Sequence, residues 1–168
     1  RIMRSQQIAL EQKLPFVHLV ESAGGDLLNY TVEGFSSGGA LFGNLARLSK
    51  EGIPVIALLH GSSTAGGAYM PGLSDYVVAV KGRGRAFLAG PPLLKAATGE
   101  IATEEELGGA EMHATVSGLA EYLAEDDGHA VQIGRELIRR LQWNGGCRPA
   151  PQRGFREPGD DPAAIAGV

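Results

Sequence analysis

The apolar residues of this chain come in short runs divided by polar and glycine-rich stretches. Ile2, Ile8, Ala9 and Leu10 mark part of the apolar face of a helix over residues 1–13, and Pro15 follows its end. Phe16 to Val20 reads as a short buried strand. Glu21 to Gly25 reads as a loop, continued by a polar excursion through Gly39. Leu41, Leu45 and Leu48 set a helix over Ala40 to Lys50, stopped by Gly52 and Pro54. Val55 to Leu59 predicts a second buried strand. It runs into a turn from His60 to Gly67 and a helix-like stretch from Ala68 to Leu73. Tyr76–Val80 and Ala86–Ala89 read as a third and a fourth strand. Short helices are expected over Leu93–Thr98 and after Thr103, where Glu106 completes a capping box. Leu119 to Ala124 predicts one or two helical turns. Asp126 and Asp127 open a last helix that runs through Leu141, with Val131, Leu137, Ile138 and Leu141 as its inner face. Its acidic start and Arg139–Arg140 end suit the helix dipole.

Strands alternating with helices predict an α/β fold with parallel pairing and helices covering the sheet. The periodicity ends at Trp143. Nine of the residues 144–168 are Gly or Pro, so a packed domain is expected over 1–143 and a linker over 144–168. The chain reads as beginning inside a helix and stopping inside that linker. With 15 basic and 19 acidic side chains the net charge is −4, which argues against a nucleic-acid partner. No apolar run approaches the ~20 residues of a membrane span. A single cysteine, Cys147, rules out an internal disulfide and a cysteine-rich zinc site, which makes a reducing compartment the expectation. The four histidines show no metal-ligand spacing, and no metal is expected. His18 and His60 read as strand residues with local hydrogen bonds, His129 as a solvated helix residue, and His113 as structural.

Glycine changes the picture. It supplies 25 of 168 residues, about twice the usual share. It falls in pairs at junctions: Gly24–Gly25, Gly38–Gly39, Gly66–Gly67 and Gly108–Gly109. The run from Gly61 to Tyr69 follows a strand and opens a helix, where free amides can face an anion or an oxygen that becomes negative. The turn at Ala23–Gly24–Gly25 follows the neighbouring strand, and parallel pairing would bring both turns to one sheet edge. A plain tight turn is the competing reading. Gly61-Ser62-Ser63-Thr64-Ala65 lacks the last glycine of a serine nucleophile elbow, although a nucleophile at Ser63 stays open. Gly90 to Lys95 lacks the glycine before lysine of a phosphate loop. Lys81, Arg83 and Arg85 form a basic cluster that could meet a phosphate, with a solvated turn as the equal alternative. Amide pockets without an evident side-chain acid or base suit chemistry in which a cofactor moves the proton.

The run Thr64-Ala65-Gly66-Gly67-Ala68-Tyr69-Met70-Pro71 resembles the glycine-rich turn of the carboxyltransferase (beta) subunits of biotin-dependent acyl-CoA carboxylases. Phe87 to Glu100 fits the same family. So do Glu105 to Ala110 with His113, Ser117–Gly118, and Ala124 to Asp127, in that order. The match covers about residues 1–141. Tyr69 and the Gly-Pro-Pro-Leu-Leu-Lys run look most like the methylcrotonyl-CoA and geranyl-CoA branch.

The resemblance implies a crotonase-like (ClpP/crotonase) fold of repeated β-β-α units, present here as part of the first of two domains. It implies a half-site for acyl-CoA that works with biotin on a carrier subunit and a biotin carboxylase, within a homo-oligomer of the full-length subunit. By the same resemblance the backbone amides of Gly66 and Gly67 form an oxyanion hole, for the carbonyl of the thioester or of biotin. Ser22, Ala23, Gly24, Gly25, Ala65, Ala68 and Tyr69 would line the acyl-CoA site, with Lys81, Arg83 and Arg85 toward its phosphates. Glu21-Ser22-Ala23-Gly24 stands where the family usually has Asp-Ser-Gly-Gly, and the Ala23 methyl narrows the pocket. A cytoplasmic enzyme is implied for a bacterial source and a matrix enzyme for a mitochondrial one. Three other classes share these features. One is the carboxyltransferase of a biotin-dependent decarboxylase, another a stand-alone crotonase-like hydratase or hydrolase, and the third a non-catalytic binding or assembly module.

Overall fold

The computed structural model describes residues 1–23, 29 and 31–143. The expected linker, Gly24 and Gly25 lie outside the described residues. The elements run α1 (Ile2–Gln12), β1 (Phe16–Ser22), α2 (Val32–Gly38), α3 (Ala40–Lys50), β2 (Val55–Thr64) and α4 (Tyr69–Gly72). They continue with β3 (Tyr76–Val80), β4 (Arg85–Phe87), α5 (Pro91–Thr98), α6 (Glu104–Gly108), α7 (Ala110–Met112), β5 (Tyr122–Ala124) and α8 (Asp127–Leu141). A 3-10 turn, Ala65–Ala68, leads into α4, and a π-helical turn, His113–Ser117, extends α7.

The sheet order is β1-β2-β3-β5, with β4 pairing the far end of β2, and every one of these pairs is parallel. β3 runs beside Ile56–Leu59 and then turns away. β4 takes its place beside Ser62–Thr64. This substitution supports β2 to its end and carries it past the strand the apolar run predicts. The expected turn at His60–Thr64 is therefore strand, because both of its flanks find ladder partners.

Two apolar layers flank the sheet. On one side Ile56, Leu58, Val78, Val80 and Ala124 pack under Ala130 and Leu137 of α8. On the other Val20, Ala57, Leu59, Val77, Ala79 and Ala86 pack with Ala110 and Ala120. A third cluster joins Ala9, Phe16, Leu45, Leu48, Ile53 and Val55, which locks α1 and α3 onto the sheet. Carboxylates satisfy two leading strand amides: Asp75 accepts from the Val55 amide at 2.8 Å and Glu121 from the Val77 amide at 2.7 Å.

Several expectations are corrected. The polar excursion before Gly39 contains α2, because the Thr31 hydroxyl accepts from the Gly34 amide and caps a helix. Leu119–Ala124 is not helical. Its last three residues pair with β3 as β5, an edge position that local periodicity does not reveal. The fourth strand is Arg85–Phe87, because its ladder with β2 ends at Phe87, and α5 begins at Pro91, since proline suits the first turn. β1 is buried on one face only: Phe16, His18 and Val20 face the core, while Val17 and Leu19 on the opposite face are exposed, Leu19 to 65%. α1 turns Gln6 and Ala9 to the core and leaves Ile2 and Ile8 exposed. Gln6 is buried because it donates to the Leu41 carbonyl (3.1 Å) and accepts from Asn44 (3.2 Å), tying α1 to α3. On α8 the inner face is Ala130, Gly134 and Leu137, with Ile138 and Leu141 packed beside them as expected. Gly134 lets Leu58 approach the helix, and Val131 faces outward.

Candidate active site

Parallel pairing places the ends of β1 and β2 at one edge of the sheet. Ser22 pairs across from Ser63 after a register shift between Val20 and Ser22. The Thr64 hydroxyl donates to the Ser22 carbonyl at 3.5 Å. At the next residue the chain turns sharply. Ala65 has φ 51, in the left-handed region that residues with a side chain visit at a cost of about 1 kcal/mol or more. That kink ends β2 and starts the 3-10 turn that holds Gly66 and Gly67. The stretch expected to be one helix from Ala68 to Leu73 is this turn followed by the single helical turn of α4, because the kink at Ala65 leaves only short segments.

The two glycines differ. Gly67 is buried. A methyl on it would stand 2.8 Å from Ser22 Cβ and 2.9 Å from both Ser22 Oγ and Ser63 Oγ, closer than side chains tolerate. Gly66 is half-buried, and a methyl on it would meet only Phe42, at an ordinary 3.6 Å. So Gly67 wedges the turn onto the ends of β1 and β2, while Gly66 has an open face. Phe42 on α3 meets Tyr69 edge-on, with ring centroids 5.8 Å apart. Ala65 and Tyr69 are exposed, and Ala68 is half-buried.

The sequence-based site residues divide accordingly. Ser22 and Gly67 are in contact, Ala65 to Tyr69 form one continuous turn, and Ala23 follows Ser22 as an exposed residue. Lys81 and Arg83 lie on the β3–β4 turn and Arg85 opens β4. They pair with Glu125, with Asp127 at 2.8 Å, and with Glu104 and Glu105 at 3.1 and 2.9 Å. That is the arrangement of a solvated turn. Ser63 is fully buried and its hydroxyl has no hydrogen-bond partner, so it cannot meet a substrate as a nucleophile from where it stands.

The buried histidines are engaged. The Ser74 hydroxyl donates its one proton to the Met70 carbonyl (2.8 Å), so it must accept from His18 Nε2–H (3.0 Å). The bond reaches from β1 to the end of α4, which makes it long-range where a local one was expected. Burial holds the His18 pKa down at about 4, so the ring is neutral near pH 7. His113 Nε2 donates to the Ala86 carbonyl at 2.7 Å, which leaves Nδ1 to accept from Ser117 at 2.7 Å. His113 thus ties the π-helical turn to β4 and has no free ring nitrogen. His129 is half-buried and its Nδ1 accepts from the Glu125 amide, so it helps to close the start of α8. Among the described residues no group of three His, Cys, Asp or Glu side chains could hold a metal. No described helix is long and apolar enough to cross a membrane.

Phe42 was the site neighbour that sequence reasoning missed. Its signal was available: it is an aromatic residue just off the Leu41–Leu45–Leu48 stripe that accounts for the core face of α3.

Comparison with known proteins agrees with the motif pattern. The profile of the Carboxyl transferase domain family matches residues 1–164. The chain is 53% identical to the "Probable biotin-dependent acyl-coenzyme A carboxylase beta2 subunit" of Mycobacterium tuberculosis, over 100% of this chain and 31% of the relative. It is 49% identical to the mitochondrial methylcrotonoyl-CoA carboxylase beta chain of Arabidopsis thaliana, over 83% of this chain and 24% of the relative. The crystal structure of the Pseudomonas aeruginosa geranyl-CoA carboxylase beta subunit superposes with a TM-score of 0.78 at 55% identity, covering 95% of this chain and 29% of that one. The chain therefore spans under a third of the length of these relatives, which come from bacteria and from a mitochondrion. The parallel sheet shares their crotonase-like architecture. With the motifs, the sheet and the relatives in agreement, this chain belongs to the Carboxyl transferase domain family.

Proposed function

We propose that this chain forms the acyl-CoA half of a carboxyltransferase site, with the amides of Gly66 and Gly67 holding the thioester oxygen. The observation that carries this reading is the contrast at the turn. Gly67 is wedged against Ser22 and Ser63, which fixes the backbone, while Gly66 keeps an open face. A fixed pair of amides stabilises an oxygen as it gains negative charge, and does so without reorganising. Loss of an acidic proton, from the α-carbon of a saturated acyl group or from the γ-carbon of an α,β-unsaturated one, converts the thioester carbonyl to an enolate oxygen, which is where that charge develops. Biotin, carried by a partner protein, supplies the carboxyl group and the base for that proton. The residues here suit such a division of labour. His18 and His113 are committed to hydrogen bonds, and Ser63 is sealed in the core. A stand-alone hydratase or hydrolase would need a side-chain acid or Ser63 as its catalyst, and Ser63 is buried.

Ser22, Ala23 and the Ala65–Tyr69 turn line the acyl end of this half-site. Gly24 and Gly25 continue the same lining in this reading. The other half, the biotin-carrying subunit and the homo-oligomer belong to the full-length protein. Lys81, Arg83 and Arg85 take part only if their exposed carboxylate partners yield to a CoA phosphate. The relatives named for methylcrotonoyl-CoA and geranyl-CoA point to branched, unsaturated thioesters as substrates.

The test is binding of acetyl-, propionyl-, methylcrotonyl- and geranyl-CoA, with free CoA as control, before and after Gly66→Val. A Cβ at this position meets only Phe42, at an ordinary 3.6 Å, and a melting curve of the variant checks that it is folded with the open face filled. Acyl-CoA binding that Gly66→Val abolishes supports the assignment. Equal binding by both proteins places the thioester elsewhere.

A further inference from the structure

Helix α3 commits Leu45 and Leu48 to the core, where both are fully buried. Phe42 stands off that stripe and is half-buried. It carries the atom nearest to the open face of Gly66, with Cζ 3.6 Å from where a side chain would begin. Its ring meets Tyr69 edge-on, with planes at 70°. Tyr69 is itself 53% exposed. Two aromatic rings therefore border the Gly66 face and leave apolar surface open to water. Rings held edge-to-face keep a fixed shape, which suits discrimination better than a flexible aliphatic lining.

We propose that Phe42, held by Tyr69, determines specificity: the pair is the wall against which the acyl chain lies, and it favours acyl groups of four or more carbons over acetyl. This rests on the reading that the thioester oxygen sits on the Gly66–Gly67 amides. An oxygen bonded to a backbone amide stands ~2.9 Å from the nitrogen. The carbonyl carbon and α-carbon follow directly, so a two-carbon acyl group ends near the rim of the Phe42 ring. Each further carbon extends over the rings and exchanges water for aromatic contact. One methylene in an apolar pocket changes kcat/KM roughly 10- to 200-fold. The wall thus selects for chain length, while the amides select for the thioester.

The experiment uses the full-length subunit with its biotin-bearing partner, assayed on acetyl-, butyryl-, methylcrotonyl- and geranyl-CoA. The variants are Phe42→Ala, which removes the wall, and Phe42→Leu, which keeps most of its volume. Melting temperatures are followed alongside. The expected result is that the ratio of kcat/KM for the longer thioesters to that for acetyl-CoA falls 10-fold or more in Phe42→Ala and by less in Phe42→Leu. A ratio unchanged in both variants, with every substrate slowed alike, would overturn the proposal. If Phe42→Ala fails to fold, the ratio measured in Phe42→Leu decides. Should Gly66→Val abolish turnover while the Phe42 variants keep the wild-type ratio, only the wall is refuted. A wild-type subunit that carboxylates no thioester would sink the wall and the oxyanion site together.

Discussion

Two glycine pairs look alike in the sequence and do different work in the fold. At Gly108–Gly109 both positions are filled from outside. A methyl on Gly108 would sit 2.9 Å from the Ala86 carbonyl carbon and from a Phe87 ring carbon, and one on Gly109 would sit 2.8 Å from the backbone of Glu105. At Gly66–Gly67 only the second position is blocked. The first pair lets α6 press onto β4, while the second presents one closed and one open glycine at the sheet edge. The lesson is that a paired glycine marks a close approach, and that a single open member marks where something else could come close.

The comparison breaks or sharpens under substitution. Gly108→Ala drives a side chain into the backbone of β4, which cannot give way, and the expected loss is about 3 kcal/mol or more in chemical denaturation. A loss below about 1 kcal/mol would show that the first pair is not a packing device. The second region also carries a pH dependence. His18, which ties β1 to the end of α4, has a folded pKa of about 4 against 6.5 unfolded. The unfolded chain binds the extra proton between those values, so stability is full above pH 6.5 and falls as pH drops toward 4, by about 3 kcal/mol in all. Unfolding at a series of pH values, with and without His18→Gln, isolates this slope; an equal slope in the variant would assign it to other groups.

Gly67→Ala first meets Ser22 Cβ and the Ser22 and Ser63 hydroxyls, which can give more than the Ala86 carbonyl beside Gly108, so its expected cost is smaller, about 1–3 kcal/mol by thermal or chemical unfolding. Ala65→Gly relieves the φ of 51 and is expected to raise stability by about 1 kcal/mol. A destabilised variant would mean that flexibility gained in the unfolded chain outweighs the strain. Gly66→Ala closes the series. Its methyl fits, and the expected change in stability lies within about 0.5 kcal/mol, the range of substitutions that disturb no packing.

Much of the fold was legible locally. The spans of α3 and β3 match the apolar runs, and the capping box at Thr103 forms both of its bonds. Asp126 caps α8 through the amide of His129. These features depend on residues within a few positions of each other. Features that depend on distant partners were not legible. β5 is a strand because β3 lies beside it, and β2 reaches Thr64 because β1 and β4 flank it. α2 was hidden because its sequence is polar and no described residue of it is buried, so it carries no apolar stripe.

The candidate site divides the same way. Taken alone, the sequence determined the order of strands and helices, the glycine-rich run after β2 and a motif pattern specific enough to identify the family. Those follow from hydrophobic period, capping chemistry and residue spacing, which are properties of neighbours in the chain. Only the tertiary structure decided that Gly67 is packed and Gly66 open, that Phe42 borders the turn, and that Lys81, Arg83 and Arg85 are paired with carboxylates. A glycine has no side chain to announce its surroundings, and a charge does not name its partner, so both are settled by elements that meet only when the sheet has formed.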